Sequence, residues 1–380
     1  MKKKMSKTFK SNLITYAMVI VAFIVFSILA EEKILSKAMR GQLVPICVYI
    51  VMAVSLNLTV GISGELSLGH AGFMSVGAFT GAVAAACFAG VGSPMLRLAL
   101  AMIIAGVMAA IAGVIIGIPV LRLRGDYLAI VTLAFGEIIR NVINCLYVAL
   151  DNGKLRFAFN APLAQDLEGI MAGTPFQVII NGPQGATING KLSTFVMGFA
   201  LVMVSLIVVL NLINSRSGRA IMAIRDNRIA AESVGLNVMK YKMMAFVIGA
   251  ALAGMAGCLY GLNMKTVTAV DFDYNMSIEI LVIVVLGGIG SIRGSVIAAV
   301  LLKVLPEKLR FLNDYRMFAY AVVLIVVMLA TNSPILKNLW ALLMRIRPLR
   351  VAAEWLQALP GRIKAALPWN KKNGKAGEAQ

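Results

Sequence analysis

Three consecutive pieces of the chain decide its fold: LVPICVYIVMAVSLNLTV at 43–60, GISGELSLGHAGFMSVGAF at 61–79 and TGAVAAACFAG at 80–90. The outer two are apolar enough to lie in a bilayer. The middle one carries five glycines, three serines, Glu65 and His70, which is the only histidine of the chain. In hydrocarbon every backbone N–H and C=O must find an internal partner. A helix that loosens at membrane depth is therefore either broken around a cavity or packed closely against another helix. Working outward from this stretch, the expected fold is an all-α, polytopic membrane protein with glycine-broken helices.

Composition supports that reading. The 380 residues are 60% hydrophobic and only 14% charged, and the mean hydropathy is +0.86. One soluble core could not hide so much apolar surface, whereas a bilayer could. Lys and Arg total 36 against 17 acids, giving a net charge of +19. These basic residues sit in short runs between apolar segments and at both ends, the pattern of charges that hold loops on one side of a membrane. Membrane lipid is thus an expected partner and nucleic acid is not. Cys47, Cys87, Cys145 and Cys258 each lie in an apolar run, so they read as buried free thiols. No His, Cys and carboxylate cluster has the spacing of a metal site. The N-terminal MKKKMSKTFK precedes an apolar run, 12–30, that is long enough to span. EEK follows that run where a small-residue cleavage site would sit, so an uncleaved first helix is expected.

A spanning helix needs about 20 apolar residues. Such runs fall near 12–30, 43–60, 73–91, 98–121, 127–149, 193–213, 243–262, 277–290, 294–305 and 316–332. That gives about ten segments. The eighth and ninth are short and separated by glycines, so they read as one broken helix or as two, and eight or nine crossings remain open. Three regions result: 1–42 with the N-terminal tail, first helix and loop; a transmembrane core at 43–334; and a basic tail at 335–380. Charge places both termini, Arg122 and Arg124, and the basic 214–242 stretch in the cytoplasm. The balanced loop 150–192 falls outside. The connection 303–316 dissents, with Lys303, Lys308, Arg310 and Arg316 against two acids on the outer side. The tail contains Trp340, Trp355 and Trp369 with nine Lys or Arg, and reads as an interfacial amphipathic helix.

GATINGK at 185–191 matches half of a phosphate loop. The next residue is Leu192 and no βαβ unit surrounds it, so it is set aside as a nucleotide site. More informative is NSRSGRAIMAIRDNRIAAESVGLNVMKYK at 214–242, a polar stretch with helical grammar. Asp226 or Asn227 can cap a short helix with the body RIAAES, and Gly235 can end it in the left-handed conformation. Such a helix is too short to be stable alone and needs something to dock on. It reads as a loop lying on the membrane surface or as a lever driven by a soluble motor.

Four segments carry a family resemblance: SLNLTVGISGELSLGHAGFMSVGAF at 55–79, LRLRGDYLAIVTLAFGEIIRN at 121–141, GRAIMAIRDNRIAAESVGLNVMKYKMMAFVIGAALAGMAGCLYG at 218–261 and LVIVVLGGIGSIRGSVIAAVL at 281–301. The chain resembles the membrane permease subunit of bacterial branched-chain amino-acid ABC importers, of the LivM type. The resemblance implies a multi-pass protein of the bacterial inner membrane. Its implied partners are a second homologous permease, two cytoplasmic ATPases that bind ATP, and a periplasmic binding protein. It implies no cofactor and no covalent chemistry in this chain itself. In such families a cytoplasmic coupling helix with an E-x-x-G pattern docks on the ATPase. That pattern maps onto Glu232, Ser233, Val234 and Gly235, preceded by Ala230 and Ala231 and flanked by Arg225, Asp226 and Arg228. Other ABC permeases place Glu-Ala-Ala before the glycine, whereas here Ala-Ala comes before Glu232.

A path for zwitterionic Leu, Ile and Val needs polarity without a deep trap, which the backbone of broken helices can supply. Two interruptions qualify, 61–77 and GGIGSIRG at 287–294. The path candidates are Asn57, Gly64, Ser67, Gly69, His70, Gly288, Gly290 and Ser291, with close helix packing as the other reading of the glycines and serines. His70 reads as a path or pH-sensing group, or as a histidine hydrogen-bonded to nearby backbone. Glu65 reads as lying at a helix end near the interface. Glu137 and Arg140, at i and i+3, read as a neutralising pair. An ion-coupled secondary transporter would need a relay of buried acids, and only Glu65, Glu137 and Glu279 approach membrane depth. That transporter, a non-transporting scaffold, and a permease of the same family for urea or amides are the alternatives.

Overall fold

The computed structural model describes residues 7–32, 36–90, 92–123, 125–151, 154–159, 176–188, 192–310 and 315–332. The expected interfacial helix at 335–375 lies outside them. The chain divides into two compact units, 1–313 and 314–380. In the second, α12 (Arg316–Asn332) is described by itself.

The first unit is built around α2 (Lys37–Asn57), which continues into a π-helical turn, Leu58–Ile62. Every residue from Leu43 to Ile62 is buried. A helix apolar on all faces has no solvated side to offer and belongs at the centre of its bundle. Around it pack α6 (Phe195–Asn214), α9 (Val238–Gly261), α10 (Tyr274–Gly287) and α11 (Ile292–Lys308). α3 (His70–Cys87), α4 (Pro94–Val120) and α9 form a second close-packed group. Small residues let these backbones approach: a Cβ on Gly77 of α3 would run into the backbone of Gly254 on α9. α1 (Lys7–Glu31) is mostly exposed and stacks Phe23 on Phe199 of α6, with ring centroids 3.9 Å apart. α5 (Asp126–Asn144) completes the larger helices.

Among the described residues, six helices are long and apolar enough to cross a membrane: Asn12–Ala30, Lys37–Ile62, His70–Cys87, Pro94–Val120, Phe195–Asn214 and Val238–Gly261. The expected run at 127–149 ends as a helix at Asn144, and its last residues turn into a strand. The segments at 277–290 and 294–305 are two helices, not one broken helix. At ~1.5 Å per residue, α10 is about 21 Å long and α11 about 26 Å, short of a ~30 Å hydrocarbon layer. They lie antiparallel, because Glu279 near the start of α10 pairs with Lys303 near the end of α11 at 2.8 Å. The turn between them holds Gly288 at φ 91° and Gly290 at φ 84°, both in the left-handed region that favours glycine. Lys303 thus belongs to a helix and is paired, which removes one basic residue from the dissenting connection at 303–316.

The chain is not all-α. Five strands form an antiparallel sheet in the order β2-β1-β3-β4-β5: β1 (Tyr147–Asp151), β2 (Lys154–Ala158), β3 (Phe176–Asn181), β4 (Ala186–Thr187) and β5 (Thr266–Val267). The register slips between Val148 and Ala149 on the β3 side. Val148, Ile180, Ala186 and Val267, paired across the strands, are all buried, so the sheet packs through an apolar face. It joins the loop after α5 to the segment after α9 and puts the ends of those helices at one end of the bundle. Within GATINGK, Ala186–Thr187 is strand β4, and 189–191 lie outside the described residues. Of the four cysteines, Cys47 and Cys258 are buried. Cys87 and Cys145 are exposed instead, because both stand where their helices end.

Candidate functional site

The stretch 214–242 folds through local capping. Ser215 Oγ accepts the Gly218 N–H at 3.0 Å and opens α7 (Arg216–Asp226). Asn227 Oδ1 accepts the Ala230 N–H at 3.0 Å and opens α8 (Arg228–Ser233). Asn237 Oδ1 accepts the Lys240 N–H at 3.1 Å and opens α9. The end of α8 is a complete Schellman motif: the Gly235 N–H donates to the Glu232 carbonyl at 3.0 Å and the Leu236 N–H to Ala231 at 3.1 Å. Gly235 itself sits at φ 81°. Capping of the body RIAAES by Asn227, with Gly235 left-handed, is as the sequence indicates.

One side of α8 is pinned down. Ala231 packs with Ile224 and Val238 in a small core that Leu236 and Tyr241 flank. The other side has no partner among the described residues. Ile229 is 81% exposed and Val234 75% exposed, beside the Arg228–Glu232 ion pair at 2.8 Å. Of the expected coupling residues, Ala231 therefore faces inward, while Arg228 and Glu232 stand outward with Ile229 and Val234. Sequence reasoning missed those two apolar residues. Their signal was large apolar side chains in an otherwise polar loop, off the face that Ala231 buries.

Arg225 ties this element to the glycine-rich break. Its Nη1 donates to the Gly61 carbonyl at 2.8 Å, while Nε and Nη2 hold Asp226 Oδ1 at 3.1 and 2.9 Å. Gly61 belongs to the π-helical turn that ends α2, where carbonyls have no helical partner, and the guanidinium satisfies one of them. Gly64, at φ 76°, lies against the same side chain: a Cβ there would be 2.6 Å from Arg225 Cγ. A second tie follows on the next helix, where Lys242 of α9 forms an ion pair with Glu65, each side chain 11% exposed. Glu65 sits just past the end of α2, as read from the sequence, but it is buried and paired.

On its far side the break meets the α10–α11 turn. A Cβ on Gly61 would lie 2.7 Å from Gly290 Cα, so the absence of a side chain at Gly61 permits this backbone crossing, while Gly290 serves it by its φ of 84°. Asn57, fully buried, locks it: Oδ1 accepts the Gly290 N–H at 2.8 Å and Nδ2 donates to Ser295 Oγ at 2.8 Å. Ser291 Oγ accepts the Gly294 N–H at 3.2 Å and opens α11, while Gly288 supplies the other left-handed residue of the turn. The two interruptions singled out from the sequence are therefore in direct contact.

The chain then turns back along α2 and starts α3 inside the protein. His70 Nε2 is 2.7 Å from Ser55 Oγ of α2, so its partner is a side chain and not the neighbouring backbone. The Ala71 N–H donates to Ser277 Oγ of α10 at 3.1 Å, and the Leu68 N–H to Thr132 Oγ1 of α5 at 3.0 Å. Gly69 packs onto the Thr132 backbone, and Ser67 is buried with no hydrogen-bond partner for its hydroxyl among the described residues. Two apolar cavities of about 490 and 430 Å³ are lined by none of the eight path candidates. In this conformation those candidates form a close-packed crossing. Glu137 and Arg140 pair at 3.1 Å, as their spacing indicates.

Comparison with known proteins agrees with this architecture. The family described as branched-chain amino acid transport system / permease component matches residues 39–330. The chain is 36% identical over 293 residues to the high-affinity branched-chain amino acid transport system permease protein LivM of Escherichia coli K12, covering 74% of this chain and 66% of that protein. The chain thus spans just under two thirds of the length of that relative. It is 26% identical over 267 residues to a probable LivM permease of Methanocaldococcus jannaschii, covering 68% and 69% of the two chains. A shorter match, 37% over 90 residues, is to the LivH permease of Salmonella typhimurium, covering 24% of this chain and 29% of that one. No solved structure matches. The match over residues 39–330 and the 36% identity to LivM, on a chain with six long apolar helices among the described residues, identify it as a member of the branched-chain amino acid transport permease family.

Proposed function

We propose that this chain is a permease subunit of an ATP-driven ABC importer of the bacterial inner membrane, and that its substrates are the zwitterions of leucine, isoleucine and valine. It forms half of the translocation path beside a second, homologous permease. Two cytoplasmic ATPases bind the ATP, a periplasmic binding protein delivers the substrate, and the chain itself holds no cofactor. Both termini and α8 face the cytoplasm, and the sheet faces the periplasm.

One observation carries the reading: α8 exposes Ile229 and Val234 while Arg225, beside it, is bonded to Gly61 in the break of a central helix. An element that presents apolar side chains to water on one face, and is tied to the core on the other, suits a docked lever. ATP binding closes the ATPase pair and draws the docked α8 helices together. Through Arg225 and the Lys242–Glu65 pair, that movement reaches segment 61–69 and then the Gly290 turn. The membrane bundle is thereby biased between two arrangements.

The test is leucine uptake into proteoliposomes holding the assembled complex. Uptake that needs internal ATP and persists after ionophores collapse proton and sodium gradients supports the proposal. Uptake that follows an ion gradient and ignores ATP overturns it.

A further inference from the structure

The break and its ties leave one charged cluster of the core unused. Glu279 of α10 holds Lys303 Nζ through Oε1 at 2.8 Å and accepts the Tyr49 hydroxyl through Oε2 at 3.2 Å. The same ammonium lies 3.3 Å above the Tyr49 ring centroid. Tyr49 stands at the middle of the apolar span Lys37–Ile62. The cluster is thus at the depth where charge is most costly, yet it is not sealed: the Lys303 side chain is 18% exposed and that of Glu279 is 36% exposed. A lipid-facing ion pair at that depth would be strongly disfavoured, so the open edge belongs against polar surroundings.

We infer that Glu279, Lys303 and Tyr49 form a binding step for a zwitterionic amino acid on the translocation path. The inference rests on the import reading and names the place in the path where charge is handled. The chemistry is an exchange of partners. The substrate carboxylate takes the place of Glu279 beside Lys303, and its ammonium takes the place of Lys303 beside Glu279. Each charge keeps an opposite neighbour throughout, so neither the site nor the ligand is left with an uncompensated charge in low dielectric. The Tyr49 ring, which already lies under the Lys303 ammonium, supplies a face for the ammonium of the ligand. A ligand with net charge would break the balance, which gives the site a preference for zwitterions.

The experiment uses the whole complex in proteoliposomes, with co-purification of the ATPases as the measure of correct assembly. Glu279→Gln with Lys303→Gln removes both charges and leaves no unpaired one. The expected result is leucine uptake reduced by about thirty-fold or more in a complex that still co-purifies with its ATPases, the scale of losing a buried charge contact. Uptake at the parent level would overturn the inference. As a second reading, Glu279→Cys in an otherwise cysteine-free chain should react with a charged, water-soluble thiol reagent in the assembled complex. Leucine-loaded binding protein with ATP should slow that reaction. No reaction in any nucleotide state would overturn the inference even if the double variant failed to assemble. A parent complex that imports no leucine would refute the import reading itself, whatever these variants do.

Discussion

Arg225 and Gly61, 164 positions apart, are joined by a 2.8 Å hydrogen bond from the guanidinium to a carbonyl that the end of α2 leaves without a helical partner. The same side chain fills the space beside Gly64 and braces Asp226. A guanidinium suits this position because its fork serves two acceptors in one plane, which an ammonium does not. The bond joins the exposed polar stretch to the π-helical turn that ends the central helix α2. Asn57 then carries the contact onward to Gly290, so α7, which packs on α8 through Ile224 and Ala231, is linked to the α10–α11 turn by two side-chain hydrogen bonds.

The outward face of α8 gives the first prediction. Ile229→Asp or Val234→Asp should abolish co-purification with the ATPase subunits, since each puts a charge where an apolar contact is expected. Both side chains are largely exposed in this chain, so thermal unfolding of the subunit in detergent should be unchanged. A shifted unfolding temperature with ATPase binding retained would contradict the assignment.

Gly235 and Gly61 are both glycine for different reasons, and substitution should separate them. Gly235→Ala meets no neighbour within 4 Å but must hold φ 81°, a cost of about 1–2 kcal/mol confined to the end of α8. Gly235→Asn should recover much of it, because asparagine tolerates that region. Gly61→Ala drives a methyl group into Gly290 and should prevent recovery of a folded subunit. Equal yields and unfolding temperatures for the two alanine variants would be inconsistent with the crossing.

The Glu65–Lys242 pair tests the second tie. Glu65→Leu alone leaves a buried ammonium without its partner, at a cost of about 3–5 kcal/mol. Adding Lys242→Met should restore most of that stability while leaving the break untied. The double variant is expected to unfold near the parent temperature but to import less leucine for each ATP hydrolysed. Recovery of both stability and transport would make the pair a packing device only.

The sequence made visible what depends on neighbours along the chain. Asn227 and Gly235 bracket RIAAES, Glu137 and Arg140 share a helix face, and the glycines at 61–77 and 287–294 mark interruptions, because each signal lies within one or two turns. The contacts that assemble the site are long-range. Nothing local indicates that Gly61 touches Gly290, that Asn57 bridges to Ser295, or that Arg225 reaches into the break. The sheet was missed because the apolar Tyr147–Leu150 continues the run of α5 without a change of composition. Lys303 read as a loop charge because its partner, Glu279, sits on the preceding helix, which returns beside it only when the Gly288–Gly290 turn reverses the chain.

The central claim is that movement of α8 reaches the membrane bundle through Arg225. The direct measurement is leucine imported per ATP hydrolysed in proteoliposomes, comparing the parent complex with Arg225→Met, which keeps the apolar stem and removes the fork. The account predicts that ATP hydrolysis continues while the transport ratio falls by about ten-fold, the scale of one charge-assisted hydrogen bond. An unchanged ratio with unchanged hydrolysis would contradict it.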